Sequence, residues 1–219
     1  MKFFKPIVLI ITLLTAGFVG CKEDTNNEIK PVQTIVIAGQ YDSTFIYHEF
    51  VPPLEMNVVW DSIRLYGSAV DSIDLDAIGS FELFFDLAIL NYDSIHLLNG
   101  LSQIFPHFRM KSRNGIYLTM ERETYGVGLG QTAFADYVKM FSIGDSITIQ
   151  NLWFYDEARS LPLWQTNHDG GLTPPFGDWY NIHDTRFIGI LLKYNQIGWI
   201  KIDATINDNP KIVSFAYQK

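Results

Sequence analysis

The chain has 219 residues, of which 47% are hydrophobic, 18% charged and 15% aromatic, a balance that excludes a disordered or low-complexity protein. Lys and Arg number 16 against 24 Asp and Glu, the formal net charge is −8, and no stretch forms a basic run, so nucleic acid finds no phosphate-neutralising surface. A single cysteine excludes a disulfide framework and every multi-cysteine metal site.

The N-terminus opens Met1-Lys2-Phe3-Phe4-Lys5 and then runs uncharged from Pro6 to Gly20 through the block Ile7-Val8-Leu9-Ile10-Ile11. A basic start, an apolar middle and a small-residue end are the layout of a secretory signal peptide, here residues 1–20. As a helix the uncharged run covers roughly 22 Å at about 1.5 Å per residue, short of a hydrocarbon core of about 30 Å. The segment ends Phe18-Val19-Gly20-Cys21. It resembles the lipobox of bacterial lipoproteins, in which a small residue precedes a cysteine that takes a diacylglyceryl thioether and becomes the mature N-terminus. Phe18 stands where that pattern usually carries an aliphatic residue.

The resemblance implies a lipidated Cys21 bearing three acyl chains, where two already anchor a protein stably. The implied partner is the membrane and the implied location is the outer membrane, at its periplasmic face or on the cell surface. Losing Lys2 and Lys5 makes the chain still more acidic, so the anchor is lipid rather than attraction to anionic headgroups. Lys22-Glu23-Asp24 is similar to the acidic export tag of some Gram-negative lipoproteins; a solvated tether is the simpler reading of the same residues. Residues 21–31 read as lipidated cysteine and polar tether, reaching at most about 35 Å. Residues 32–219 read as one domain.

Within that domain, alternation of period two dominates. Phe81, Leu83, Phe85, Leu87 and Ile89 fall on one face with Glu82 and Asp86 on the other. Residues 116–121 repeat the pattern, and Ile200, Ile202, Ala204 and Ile206 oppose Lys201, Asp203 and Thr205. Residues 32–37, 57–66, 146–150, 186–193 and 212–217 are further β-rich runs bounded by Gly, Asp, Asn or Pro. Helical spacing is confined to 131–140. The predicted class is all-β: a two-layer antiparallel β-sandwich or jelly roll with few or no helices. Asp-Ser pairs at Asp42, Asp61, Asp71, Asp93 and Asp145 have no fixed period and read as turn chemistry before strands.

No G-x-S-x-G elbow is present, and Tyr125-Gly126-Val127-Gly128-Leu129-Gly130 fits no dinucleotide fingerprint, so it reads as a mobile loop and no cofactor is expected. Asp74 with Asp76, and Glu121 with Glu123, have the two-residue spacing that puts carboxylates on one strand face, yet they alternate with apolar residues as a solvent face does. The most informative stretch is 151–184, which holds three of the five tryptophans among Gly and Pro. Two readings compete there. In one, Trp164, Trp179 and Tyr180 stack on a sugar ring while Asp169, Asp178 and Asn181 bond its hydroxyls. In the other, His168 and His183 with Asp169, Asp178 and Asp184 ligate a cation. A third, structural account has the aromatics plugging the open end of the sandwich.

Near the C-terminus, Phe187-Ile188-Gly189-Ile190, Ile197-Gly198-Trp199-Ile200-Lys201-Ile202 and Ser214-Phe215-Ala216-Tyr217 follow one another, with Gly144-Asp145-Ser146-Ile147 upstream. These runs resemble the closing strands of a family of uncharacterised, secreted and lipid-anchored bacterial β proteins. The resemblance implies an all-β domain and no activity. Read as packing alone, Gly198 lets a neighbouring strand approach and Trp199 fills the space that remains.

Together these residues describe a cell-envelope lipoprotein whose β-sandwich binds a glycan or a partner protein and performs no chemistry. Two alternatives stay open: a glycan-active enzyme using carboxylates around Asp156, Glu157 and Asp178, and a structural subunit that assembles through a sheet edge. Cys21→Ala is expected to move the protein from the membrane to the soluble fraction of lysed cells; unchanged fractionation, or a free thiol at Cys21 by mass spectrometry, contradicts lipidation.

Overall fold

The computed structural model describes residues 34–61, 66–90, 107–128, 131–165, 177, 179, 182–205 and 209–219. The described part of the chain is all-β. In chain order the strands are β1 (Ile35–Ile37), β2 (Phe45–Glu55), β3 (Val59–Asp61), β4 (Tyr66–Ile73), β5 (Leu83–Leu90), β6 (His107–Ser112) and β7 (Tyr117–Gly128). They continue as β8 (Gln131–Val138), β9 (Ser146–Thr148), β10 (Trp153–Phe154), β11 (Leu161–Gln165), β12 (Thr185–Leu191), β13 (Ile197–Asp203) and β14 (Lys211–Gln218).

Three antiparallel sheets result. A seven-stranded sheet runs β10-β7-β12-β13-β14-β2 with β8 also paired to β7, a five-stranded sheet runs β11-β6-β5-β4-β3, and β1 pairs with β9 in a short ribbon. Leu83, Phe85, Leu87 and Phe108 from the five-stranded sheet share one core with Ile188, Ile190, Ile200, Ile202 and Tyr217 from the seven-stranded one. Phe187, Leu191, Ile197, Trp199 and Ala216 point the other way, into a second core closed by Val36 and Ile147 of the ribbon. The β12–β14 meander is therefore buried on both faces, which is why its sequence reads as almost continuous apolar runs rather than alternation.

Gly198 sets the spacing of that meander. A Cβ there would lie 2.3 Å from the backbone oxygen of Ala216, and the β13–β14 ladder pairs Gly198 with Tyr217. Trp199 is buried beside it, with Phe187 edge-on at 5.4 Å, and its Nε1–H donates to the Gln40 carbonyl at 3.0 Å.

Several expectations need correction. Residues 131–138 form a strand and not a helix, because β7 offers a long hairpin partner, with Arg122 and Asp136 paired across it at 2.5 Å. The glycine-rich run at 125–128 belongs to the same ladder, with a register shift between Gly126 and Gly128, rather than to a loop; 129–130 lie outside the described residues. The face assigned from Phe81 onward holds only from Leu83: Phe81 is 52% exposed while Glu82 is 3% exposed, because both precede the strand and close a loop. The Asp-Ser reading holds at Asp42, whose carboxylate accepts from Thr44 N–H, and at Asp145, which accepts from Ser142 N–H, whereas Asp71 lies inside β4.

The β2 edge was hidden by Pro52 and Pro53. Glu49 pairs with Ser214 and Leu54 with Ile212, so 50–53 bulge out opposite Val213, where prolines break no ladder bond.

Gly198→Ala is expected to destabilise the domain by about 3 kcal/mol, since the atom in its way is backbone and cannot rotate aside. At about 2–4 °C per kcal/mol for a domain of this size, calorimetry should show the midpoint falling by roughly 6–12 °C.

Candidate functional site

The aromatic reading of 151–184 meets a correction first. Trp164 belongs to the main core and Trp179 is only 2% exposed in the same core, so neither ring offers a face to a sugar. Both indoles fill the core shared by the two larger sheets, and among the described residues the Trp179 Nε1–H has no hydrogen-bond acceptor. Tyr180, Asn181, Asp169, Asp178 and His168 lie outside the described residues, as does Cys21. His183 is exposed, and Asp184 is committed, accepting from Arg186 Nη1 at 2.7 Å and from Thr185 N–H. Of the residues around the enzymatic alternative, Asp156 accepts from Ala158 N–H and Glu157 from the Tyr155 hydroxyl.

Asp74 and Asp76 do not sit on a strand. They open the loop between β4 and β5, and Glu82, which no spacing rule singled out, completes a group of three carboxylates with one oxygen from each within 4.8 Å of the others. The loop is shaped by those acids. Gly79 N–H donates to Asp74 Oδ2 at 2.7 Å, Ile78 N–H to Asp76 Oδ1 at 3.1 Å, Leu75 N–H to Glu82 Oε2 at 2.8 Å and the Ser80 hydroxyl to Glu82 Oε1 at 2.7 Å. Asp74 Oδ1 is buried without a hydrogen-bond partner. Tyr217 donates from beneath to the Leu75 carbonyl at 3.2 Å; burial first, then the charges of Asp76, Glu82 and Asp74, push its phenol up.

An all-oxygen set of this kind has the chemistry of a hard-cation ligand. It is a poor glycosidase pair, because Glu82, at 3% exposure, is out of reach of a polymer.

A different feature lies where two turns meet. Asn114 and Gly115 both have positive φ, and Ile116 N–H donates to the Arg113 carbonyl at 3.1 Å, making the two-residue Asn-Gly reversal that leads from β6 into β7. Because Leu191 pairs with Tyr117, the β12–β13 turn arrives beside it. That turn contains a single 3-10 turn, Lys193–Asn195, closed by Leu192 N–H donating to the Gln196 carbonyl. Between the two lies a groove of about 540 Å³, lined by Gly115, Tyr117, Leu191, Leu192, Lys193, Tyr194 and Asn195.

Tyr194 holds φ 63° and ψ 24°, Asn195 follows at φ 62°, and Tyr194 is 87% exposed. Tyr117 is 38% exposed and packs on Tyr155 with ring centroids 5.1 Å apart. Behind them the Tyr155 hydroxyl donates to Glu157, and Asn114 N–H donates to the same carboxylate. Those bonds, the tyrosine's first, hold Glu157 below its ordinary range, with Arg113 and Lys111 adding in the same direction.

A smaller concavity of about 230 Å³ lies between Ile35, Gln40, Tyr41 and Phe45. Its tyrosine is stacked at 3.9 Å on Tyr47 and so has one face already occupied. Sequence reasoning missed the tyrosine groove because Tyr117 and Tyr194 are far apart in the chain. The available signal was a turn with no glycine, Lys193-Tyr194-Asn195, between two apolar runs.

Comparison with protein-family models, with curated proteins and with solved structures finds no match to this chain.

Glu82→Ala removes the acceptors of the Leu75 amide and the Ser80 hydroxyl inside a buried loop. The expected cost is about 1–3 kcal/mol, read as a lowered denaturation midpoint. A midpoint equal to that of the natural chain contradicts the structural role given to this carboxylate.

Proposed function

We propose that this chain is a cell-envelope lipoprotein, anchored through Cys21, whose β-sandwich is a non-catalytic binding module, and that it takes a glycan at the groove between the 114–115 and 193–195 turns. The observation that carries the reading is Tyr194. A bulky residue in the left-handed region costs of order 1–3 kcal/mol, and such outliers persist where the surroundings over-determine them and cluster at functional sites. Here the ring is 87% exposed, so burial repays little of that cost. What the turn gains is a flat aromatic face presented over a groove whose other wall carries Tyr117.

Tyrosine suits a sugar because the ring offers an apolar face while the hydroxyl stays wet. Asn195 adds an amide on the same rim, giving the mix of apolar surface and polar group that small-molecule sites have. The carboxylate near the groove, Glu157, is occupied by Tyr155 and Asn114, which supports binding without hydrolysis.

Tyr194→Gly separates display from folding. Glycine adopts this backbone without strain, so the variant is expected to match or exceed the natural stability while losing about tenfold or more in glycan affinity. A glycan array followed by titration of the best ligand checks this; undiminished binding removes the groove as the site, and loss of a protein partner with no glycan bound by the natural chain assigns the groove to a protein instead.

A further inference from the structure

Lys193 neighbours Tyr194 in the turn, and its alkyl stem crosses the opposite wall: a Cβ on Gly115 would lie 3.7 Å from Lys193 Cε. The side chain is exposed and enters no ion pair or hydrogen bond among the described residues, whereas Lys139 and Lys211 are held by Glu121 and Glu55. Arg113 and Lys111 add positive potential at Glu157, whose charge is already engaged by Tyr155 and Asn114. The carboxylates of the Asp74 loop are bonded to their own backbone amides and to Ser80. On a chain with a formal charge of −8, this groove sets an exposed ammonium beside its exposed ring.

We infer that the ligand of this groove is an acidic glycan, a chain of pyranose rings bearing carboxylates, with a ring on Tyr194 and Tyr117 and a carboxylate at Lys193. The inference rests on the glycan reading proposed above and names its ligand class. A neutral sugar needs only the tyrosine faces and Asn195. An ammonium held free at the rim gains a partner when the ligand brings its own negative charge, and the protein's overall acidity then discourages every other orientation of a polyanion.

The test uses the full mature domain, a panel of polyuronates and the carboxyl-reduced counterpart of each polymer. The natural chain is expected to bind an acidic polymer about three- to fivefold more tightly than its reduced form at about 50 mM salt, with the preference shrinking at about 500 mM. Lys193→Gln should abolish that preference while leaving affinity for the reduced polymer in place, and Tyr194→Gly should weaken both. Equal binding of acidic and reduced polymers, unaffected by Lys193→Gln, overturns the acidic ligand and leaves the glycan site standing. Binding of neither form by the natural chain overturns both. Each variant's melting midpoint, unchanged within a few degrees, confirms that a loss reads the site and not the fold.

Discussion

The β12–β14 meander must bury apolar side chains on both of its faces, and the rest of the molecule is arranged around that demand. Trp199 and Ile200 are neighbours in sequence and enter opposite cores, so neither face can be left to water. One face takes the five-stranded sheet; the other takes the ribbon of β1 and β9 and the segment that follows it. Gly198 permits the close approach that makes this possible, and the tightly paired strands give the turn between β12 and β13 a fixed base. The exposed Tyr194 thus stands on a well-buried base: among the described residues, the strands that flank its turn are mostly buried.

Alternation made the strand at Leu83–Leu90 readable from sequence, and near-continuous apolar runs did the same for the final meander, because burial of one face leaves a period of two and burial of both leaves an unbroken run. Where the reading failed, a tertiary partner outweighed a local signal. Residues 131–138 have helical spacing, yet β7 supplies a ladder that an isolated helix cannot match. The prolines of β2 concealed a strand because they sit in its bulge. Phe81 and Glu82 reverse their expected sides because a carboxylate that accepts three hydrogen bonds can be buried at less cost than the loop amide it satisfies could be left unpaired.

The binding residues were less legible still. Tryptophan, glycine and proline in 151–184 gave the composition of a binding loop, but composition does not say which way an indole points; Trp164 and Trp179 point inward. A glycine-free turn between two apolar runs was the mark that Tyr194 left in the sequence, and it says neither that the φ is positive nor that the ring is exposed. The groove also joins residues from two hairpins, and only the pairing of Leu191 with Tyr117 brings them together.

The bulge at Val51-Pro52-Pro53 reaches beyond the strand that contains it. A margin lacking two amide donors, and bowed away from its neighbour, offers no straight template along which a second copy could zip. At this margin of the larger sheet, strand-to-strand growth onto a neighbouring molecule is therefore disfavoured.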